Sequence, residues 1–133
     1  MGIKDLNKLL KEMNPRLIEK EFVFCTISQE HIGKLHLEAL LTFKEAEGIT
    51  IIIEKEKADS NTLSYSQVWK MITLQVHSDL SAVGLLAAIT NKLAKEGISV
   101  NVISGYYHDH LFVPIKMAEK SIDLLQEFVN SSA

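Results

Sequence analysis

Along the chain, apolar residues change their spacing several times, and each change marks an element. Leu6, Leu9, Leu10 and Met13 stand at i, i+3, i+4 and i+7, the stripe of a short helix over residues 4–13. Asn14-Pro15 ends it, because a proline disfavours helical backbone in the residue before it. The run 22-FVFCTI-27 predicts a buried strand. Residues 28–34 read as loop and 35–46 as a helix with Gly48 as its stop. The β-branched run 49-ITIII-53 predicts a second buried strand. The polar, turn-rich segment 57-KADSNTLSYS-66 is the plausible linker.

The second half opens with 71-MITLQV-76, where Ile72, Leu74 and Val76 alternate with Met71, Thr73 and Gln75 as in a half-buried strand. After the loop 77-HSDLS-81, a helix carries Ala82, Leu85, Leu86, Ile89 and Leu93 on one face and ends at Gly97. Two strands, 98-ISVNVIS-104 and 110-HLFVPI-115, flank 105-GYYHD-109, and a last helix covers about 117–129. The order β-α-β-β-α lacks the final strand of a ferredoxin-like plait. Only 130-NSSA-133 remains after the last helix, so the missing edge must come from elsewhere, and an edge left bare beside such apolar strands invites aggregation. The strand at 22–27 is expected to cross over and fill it. The stretches 47-EGITIII-53 and 96-EGISVNV-102 echo each other 97 − 48 = 49 residues apart, which reads as a weak internal duplication. The expected fold is α+β: two interlocked ferredoxin-like lobes, residues 1–66 and 67–133, with antiparallel sheets and helices on one face.

Composition narrows the function. Of 133 residues, 47% are hydrophobic and 23% charged, enough apolar material for a core without staples. A net charge of −3 with scattered lysines gives no electrostatic footprint for nucleic acid. No apolar run approaches the roughly 18 residues of a membrane span, and the first residues lack a signal core with its cleavage site, so a cytoplasmic location is expected. The single Cys25 excludes an internal disulfide and a multi-thiolate metal site. Within its apolar run it reads as a structural thiol, since a dry setting raises thiol pKa.

Three places carry candidate chemistry. In an extended strand His108 and His110 share a face and Asp109 takes the other. Two imidazoles could hold a metal if His77 and a carboxylate joined them. The same residues also fit a polar turn with Asp109 as its turn residue. In 77-HSDLSAVGLL-86 a strand passes into a helix whose start, at Ser81, Ala82, Val83 and Gly84, offers N–H groups to an anion. Asp79 could meet an amine there, or Ser78, Asp79 and Ser81 could simply cap the helix. Trp69 with Tyr65 could form an aromatic patch or pack in the core. No nucleophile elbow and no phosphate-binding glycine loop occurs, so no catalytic residue is assigned and no cofactor is expected.

The stretches 44-KEAEGITII-52, 76-VHSDLSAVGLLAAI-89 and 98-ISVNVISGYYHDHLFVP-114 together resemble a family of small, mostly bacterial, aspartokinase-like proteins built of two ACT-type lobes. Asn101-Val102 followed by Tyr106 to Pro114 is the most specific part. Lys44 stands where the pattern suggests Arg, and Ser99 where it often has Cys. The resemblance implies interleaved plaits that pair side by side, as a homodimer or larger assembly, and a small effector, plausibly an amino acid, held against the loop after a strand. It points to the 77–84 loop of a stand-alone regulatory module; with the free helix start and the polar strand residues beside it, the expected ligand-binding residues are Asp79, Leu80, Ser81, Ala82, Val83, Gly84, Asn101 and Ser104. A metal-binding protein or metal-dependent enzyme using His77, His108 and His110 is the alternative.

Overall fold

The structure, a computed structural model, describes residues 5–33 and 38–131. Its elements are α1 (Leu6–Glu12), β1 (Pro15–Ile27), α2 (Gln29–Ile32), β2 (Leu41–Lys44), β3 (Ile49–Glu54), α3 (Lys55–Ser60), β4 (Trp69–Leu74), α4 (Leu85–Lys95), β5 (Asn101–Ser104), β6 (Asp109–Pro114) and α5 (Ala118–Asn130). A 3-10 turn at Ile115–Met117 leads into α5. The chain forms two compact units, one of Met1–Glu19 with Lys70–Ala133, the other of Lys20–Trp69.

In the first unit the strand order is β1-β4-β6-β5, so the strand that β-α-β-β-α lacks is the opening of β1. Just beyond the ends of these strands, the Gln75 N–H donates to the Asn14 carbonyl (3.4 Å) and the Val76 N–H to that of Met13 (3.3 Å). Asn14 makes the corner between α1 and β1 with φ +43°, a conformation asparagine tolerates better than most residues. Leu9 and Met13, Leu85, Ile89 and Leu93 of α4, and Leu125 of α5 bury one apolar stripe each against Ile72, Leu74, Leu111 and Val113 of the strands. The i, i+4, i+8 spacing in α4 puts its three buried leucine and isoleucine positions on one helix face.

In the second unit the order is β2-β3-β1. Antiparallel pairing sets Val23 opposite Ile53, Cys25 opposite Ile51 and Ile27 opposite Ile49. These six alternate positions share a face with Ala58 of α3 as one core cluster. Cys25 is buried there, and burial pushes its thiol above the ordinary value. Trp69 packs on Phe24, ring centroids 5.7 Å apart, rather than on Tyr65, whose hydroxyl donates to Asp59 at 2.7 Å.

Several sequence expectations change. Residues 22–27 pair with β3, and it is the preceding part of the same strand that belongs to the unit containing most of β4. Of the helix expected over 35–46, residues 35–37 lie outside the described residues, and Leu41–Lys44 is a strand paired with β3. Thr and Phe have no strong helix preference, and the open side of β3 gives this short segment a ladder to join. The expected linker begins inside a helix, α3, stabilised by the Lys55–Asp59 pair at 2.9 Å. Asp109 opens β6 opposite Ser104 instead of making the turn. β6 lies between β4 and β5, and Pro114 ends it.

The two hairpins repeat each other. β5 begins 101 − 41 = 60 residues after β2, and β6 begins 109 − 49 = 60 residues after β3. Buried and half-buried positions follow the same order in β3 and β6. Each turn is closed by an N–H to carbonyl bond of 2.9 Å, Glu45 to Gly48 and Gly105 to His108. The stretches 47-EGITIII-53 and 96-EGISVNV-102 are therefore not structural equivalents: Gly48 closes a hairpin turn, and Gly97 follows a helix.

Candidate functional site

The site lies in the first unit, where β4 passes into α4. Asp79 builds the loop: its carboxylate accepts the Ser81 N–H at 2.8 Å and the Ser81 hydroxyl, and its carbonyl accepts the Ala82 N–H at 2.9 Å. This is an Asx turn, the local alternative to helix that aspartate favours. It delays the helix. Gly84, at φ +96°, caps α4 without a side-chain hydrogen bond, and α4 begins at Leu85, later than the expected start around Ser81 and Ala82. The first intrahelical bond of α4 runs from the Ala88 N–H to the Gly84 carbonyl at 2.9 Å, so the N–H groups of Leu85, Leu86 and Ala87 have no partner within the helix.

A cavity of about 130 Å³ opens at this point. The loop contributes Ser78, Asp79, Leu80, Ala82 and Gly84, the first turn of α4 contributes Leu85, Leu86 and Ala87, and the hairpin contributes Ser104 and Asp109. Asp109 is only 7% exposed. Its carboxylate accepts the Ser78 hydroxyl at 3.1 Å, which ties the hairpin to the loop. The volume is below the roughly 300–1,000 Å³ of drug-sized ligand sites and suits a molecule of few heavy atoms.

Of the residues expected to bind ligand, Asp79, Leu80, Ala82, Gly84 and Ser104 line this cavity. Ser81 does not line it; its polar groups serve the Asx turn. Val83 is 82% exposed, and Asn101 sits exposed at the far end of β5, opposite Phe112. Sequence reasoning did not bring Asp109 and its donor Ser78 into this lining, and it set the free helix-start amides at Ser81–Gly84, where the helix begins only at Leu85. The period-2 placement of Asp109 away from the two histidines was the available signal.

The histidines lie elsewhere. The rings of His108 and His110 are 6.5 Å apart, and His110 Nδ1 bonds the Thr73 hydroxyl at 3.0 Å. Burial pushes His110 below its ordinary pKa, His108 adds to this, and Asp109 opposes it. The His77 ring packs on Tyr107 at 5.8 Å, and Tyr107 on Tyr106 at 5.1 Å. Among the described residues, no three His, Cys, Asp or Glu side chains gather to hold a metal ion, so nothing here supports the metal alternative. A larger open groove of about 430 Å³ between α4 and α5 is crossed by its own side chains: Lys92 pairs with Glu127 at 2.9 Å and lies 4.8 Å above the Phe128 ring.

Two interleaved plaits with a small polar cavity at a strand-to-helix loop define the class. An ACT domain family profile matches residues 1–70 and a second ACT domain profile matches 66–127; the chain belongs to the ACT domain family. Among solved structures it is similar to a Vibrio cholerae protein of unknown function, described as a possible transport protein, with 47% identity, a TM-score of 0.85, and 98% of this chain and 100% of that one covered. It has the fold of the ligand-free regulatory subunit of aspartate kinase from Thermus thermophilus (8% identity, TM-score 0.66, 88% and 97% covered). It also shares the fold of part of Escherichia coli aspartokinase III, solved with aspartate and ADP (12% identity, TM-score 0.65, 88% and 33% covered). Among curated proteins no match is found. No helix among the described residues is long and apolar enough to cross a membrane.

Proposed function

We propose that this chain is a regulatory module that binds a small effector, an amino acid, in the cavity between the Ser78–Gly84 loop, the start of α4 and the β5–β6 hairpin. Membership of the ACT domain family supports binding of a small effector. The observation that carries the reading is the cavity's lining: the first-turn residues of α4, whose amides have no partner within the helix, on one wall, and carboxylate and hydroxyl residues on another. Amides at a helix start suit a carboxylate, and a carboxylate suits an amine. The role proposed is binding. The module acts as a homodimer: β5 ends the strand order of its unit, and an edge strand is a surface for pairing.

Thermal unfolding in the presence of each of the twenty amino acids tests the effector. A ligand bound only by the folded chain stabilises it by mass action, about 2.7 kcal/mol at a hundred times Kd. At least one amino acid should raise the melting temperature at millimolar concentration. If none does, the amino-acid reading is lost.

A further inference from the structure

We propose that Asp109 selects the ligand of this cavity, its carboxylate receiving an ammonium group of the bound molecule. The inference rests on the cavity being the effector site and goes further, naming the chemical group recognised and the residue that recognises it. Among the described residues, the carboxylate of Asp109 makes one hydrogen bond, Oδ2 accepting from Ser78 Oγ. No buried side-chain nitrogen or oxygen among the described residues lacks a partner, so Oδ1 keeps some exposure, and Asp109 lines the cavity. Asp79 also lines the cavity, but its Oδ1 is taken up by the N–H and hydroxyl of Ser81.

Among the described residues, no Lys, Arg or His lines this space. A carboxylate 7% exposed that meets no cation in the cavity lining is costly to bury, and a ligand ammonium would supply a charge there. His110, the next residue of the strand, bonds Thr73. The α4 amides in the same lining suit the ligand's carboxylate. A free α-amino acid carries both groups on one carbon, and its 2-hydroxy analogue lacks the ammonium.

L-alanine and L-lactate differ in that group alone and make the test. Each is titrated into the isotope-labelled chain while the backbone amide resonances of Ser78, Leu86 and Ser104 are followed by NMR. A charge-assisted bond in place of a neutral one should make alanine bind roughly tenfold to hundredfold more tightly than lactate. Asp109→Asn keeps an acceptor for Ser78 and removes the charge; it should weaken alanine at least about tenfold and leave lactate nearly unchanged. Equal binding of the two by the wild type overturns the inference while the cavity remains the effector site. An unchanged alanine affinity in Asp109→Asn does the same. If neither compound moves these resonances at tens of millimolar, the cavity reading fails and the role of Asp109 with it. The wild-type comparison decides the matter even if the variant does not fold.

Discussion

Replacing Gly84 by alanine tests how the start of α4 is held. Gly84 has φ +96°, where an L residue is strained by roughly 1–2 kcal/mol. Its backbone also leaves little room: a Cβ there would stand 3.3 Å from Leu6 Cδ2 and 3.8 Å from Cδ1, the first inside the roughly 3.5–4.0 Å of ordinary carbon contact. Leu6 is half-buried on α1 and can move only in part, which adds about 1 kcal/mol. Gly97 is the control. Its φ is +73°, and a Cβ there would meet nothing within 4 Å, so Gly97→Ala carries the backbone strain alone. Both glycines belong to the same unit, so the comparison holds whether or not the two units unfold together. At roughly 2.1 cal/mol/K of unfolding entropy per residue, a chain of 133 residues loses about 3.6 °C per kcal/mol. Gly97→Ala should therefore lower the melting temperature by about 4–7 °C and Gly84→Ala by about 7–11 °C. The excess should vanish when Leu6→Ala is introduced beside each. Equal losses from the two glycine variants, or an excess that survives Leu6→Ala, would refute the contact with Leu6 as its cause.

Two further outcomes are expected. Burial holds the folded-state pKa of His110 below its ordinary value, so the unfolded chain binds more protons and stability falls as pH drops through about 6.5. The charges of His108 and Asp109 act on it, and the Thr73 hydroxyl bonds it. His110→Gln should flatten the difference in melting temperature between pH 7.5 and 5.5; an unaltered slope would assign it to other groups. Light scattering on a sizing column should give a mass near twice the 14.9 kDa of one chain, and a monomer at micromolar concentration would remove the dimer from the proposal.

Much of the second half was legible because its periods are unambiguous. Leu85, Ile89 and Leu93 recur every four residues, and Ile72 and Leu74 alternate, so α4 and β4 appear close to where the pattern puts them. The first half misled where a short segment had no strong preference. Leu41–Lys44 looked like part of a helix, yet β3 offers it a ladder, and four residues cannot outweigh that. The 49-residue echo misled for a related reason: Glu-Gly-Ile and a hydroxyl residue signal a turn into a strand wherever they occur, and do not distinguish a hairpin turn from a helix end.

The candidate site divides the same way. The polar loop before an apolar helix was visible at 77–84, since serine, aspartate and glycine bar helix until Leu85. Which of its groups remain available was not visible. Asp79, the obvious partner for an amine, is committed to Ser81 by contacts two residues apart. Asp109, read from its neighbours as a turn residue, is carried into the cavity wall by a hairpin register that sets it opposite Ser104 and within reach of Ser78, 31 residues earlier. Periodicity and turn chemistry act over a few residues, and they determined the elements. Pairing and burial act between residues far apart in the chain, and they alone decided which part of β1 joins the unit of β4 and brought Asp109 into the cavity wall.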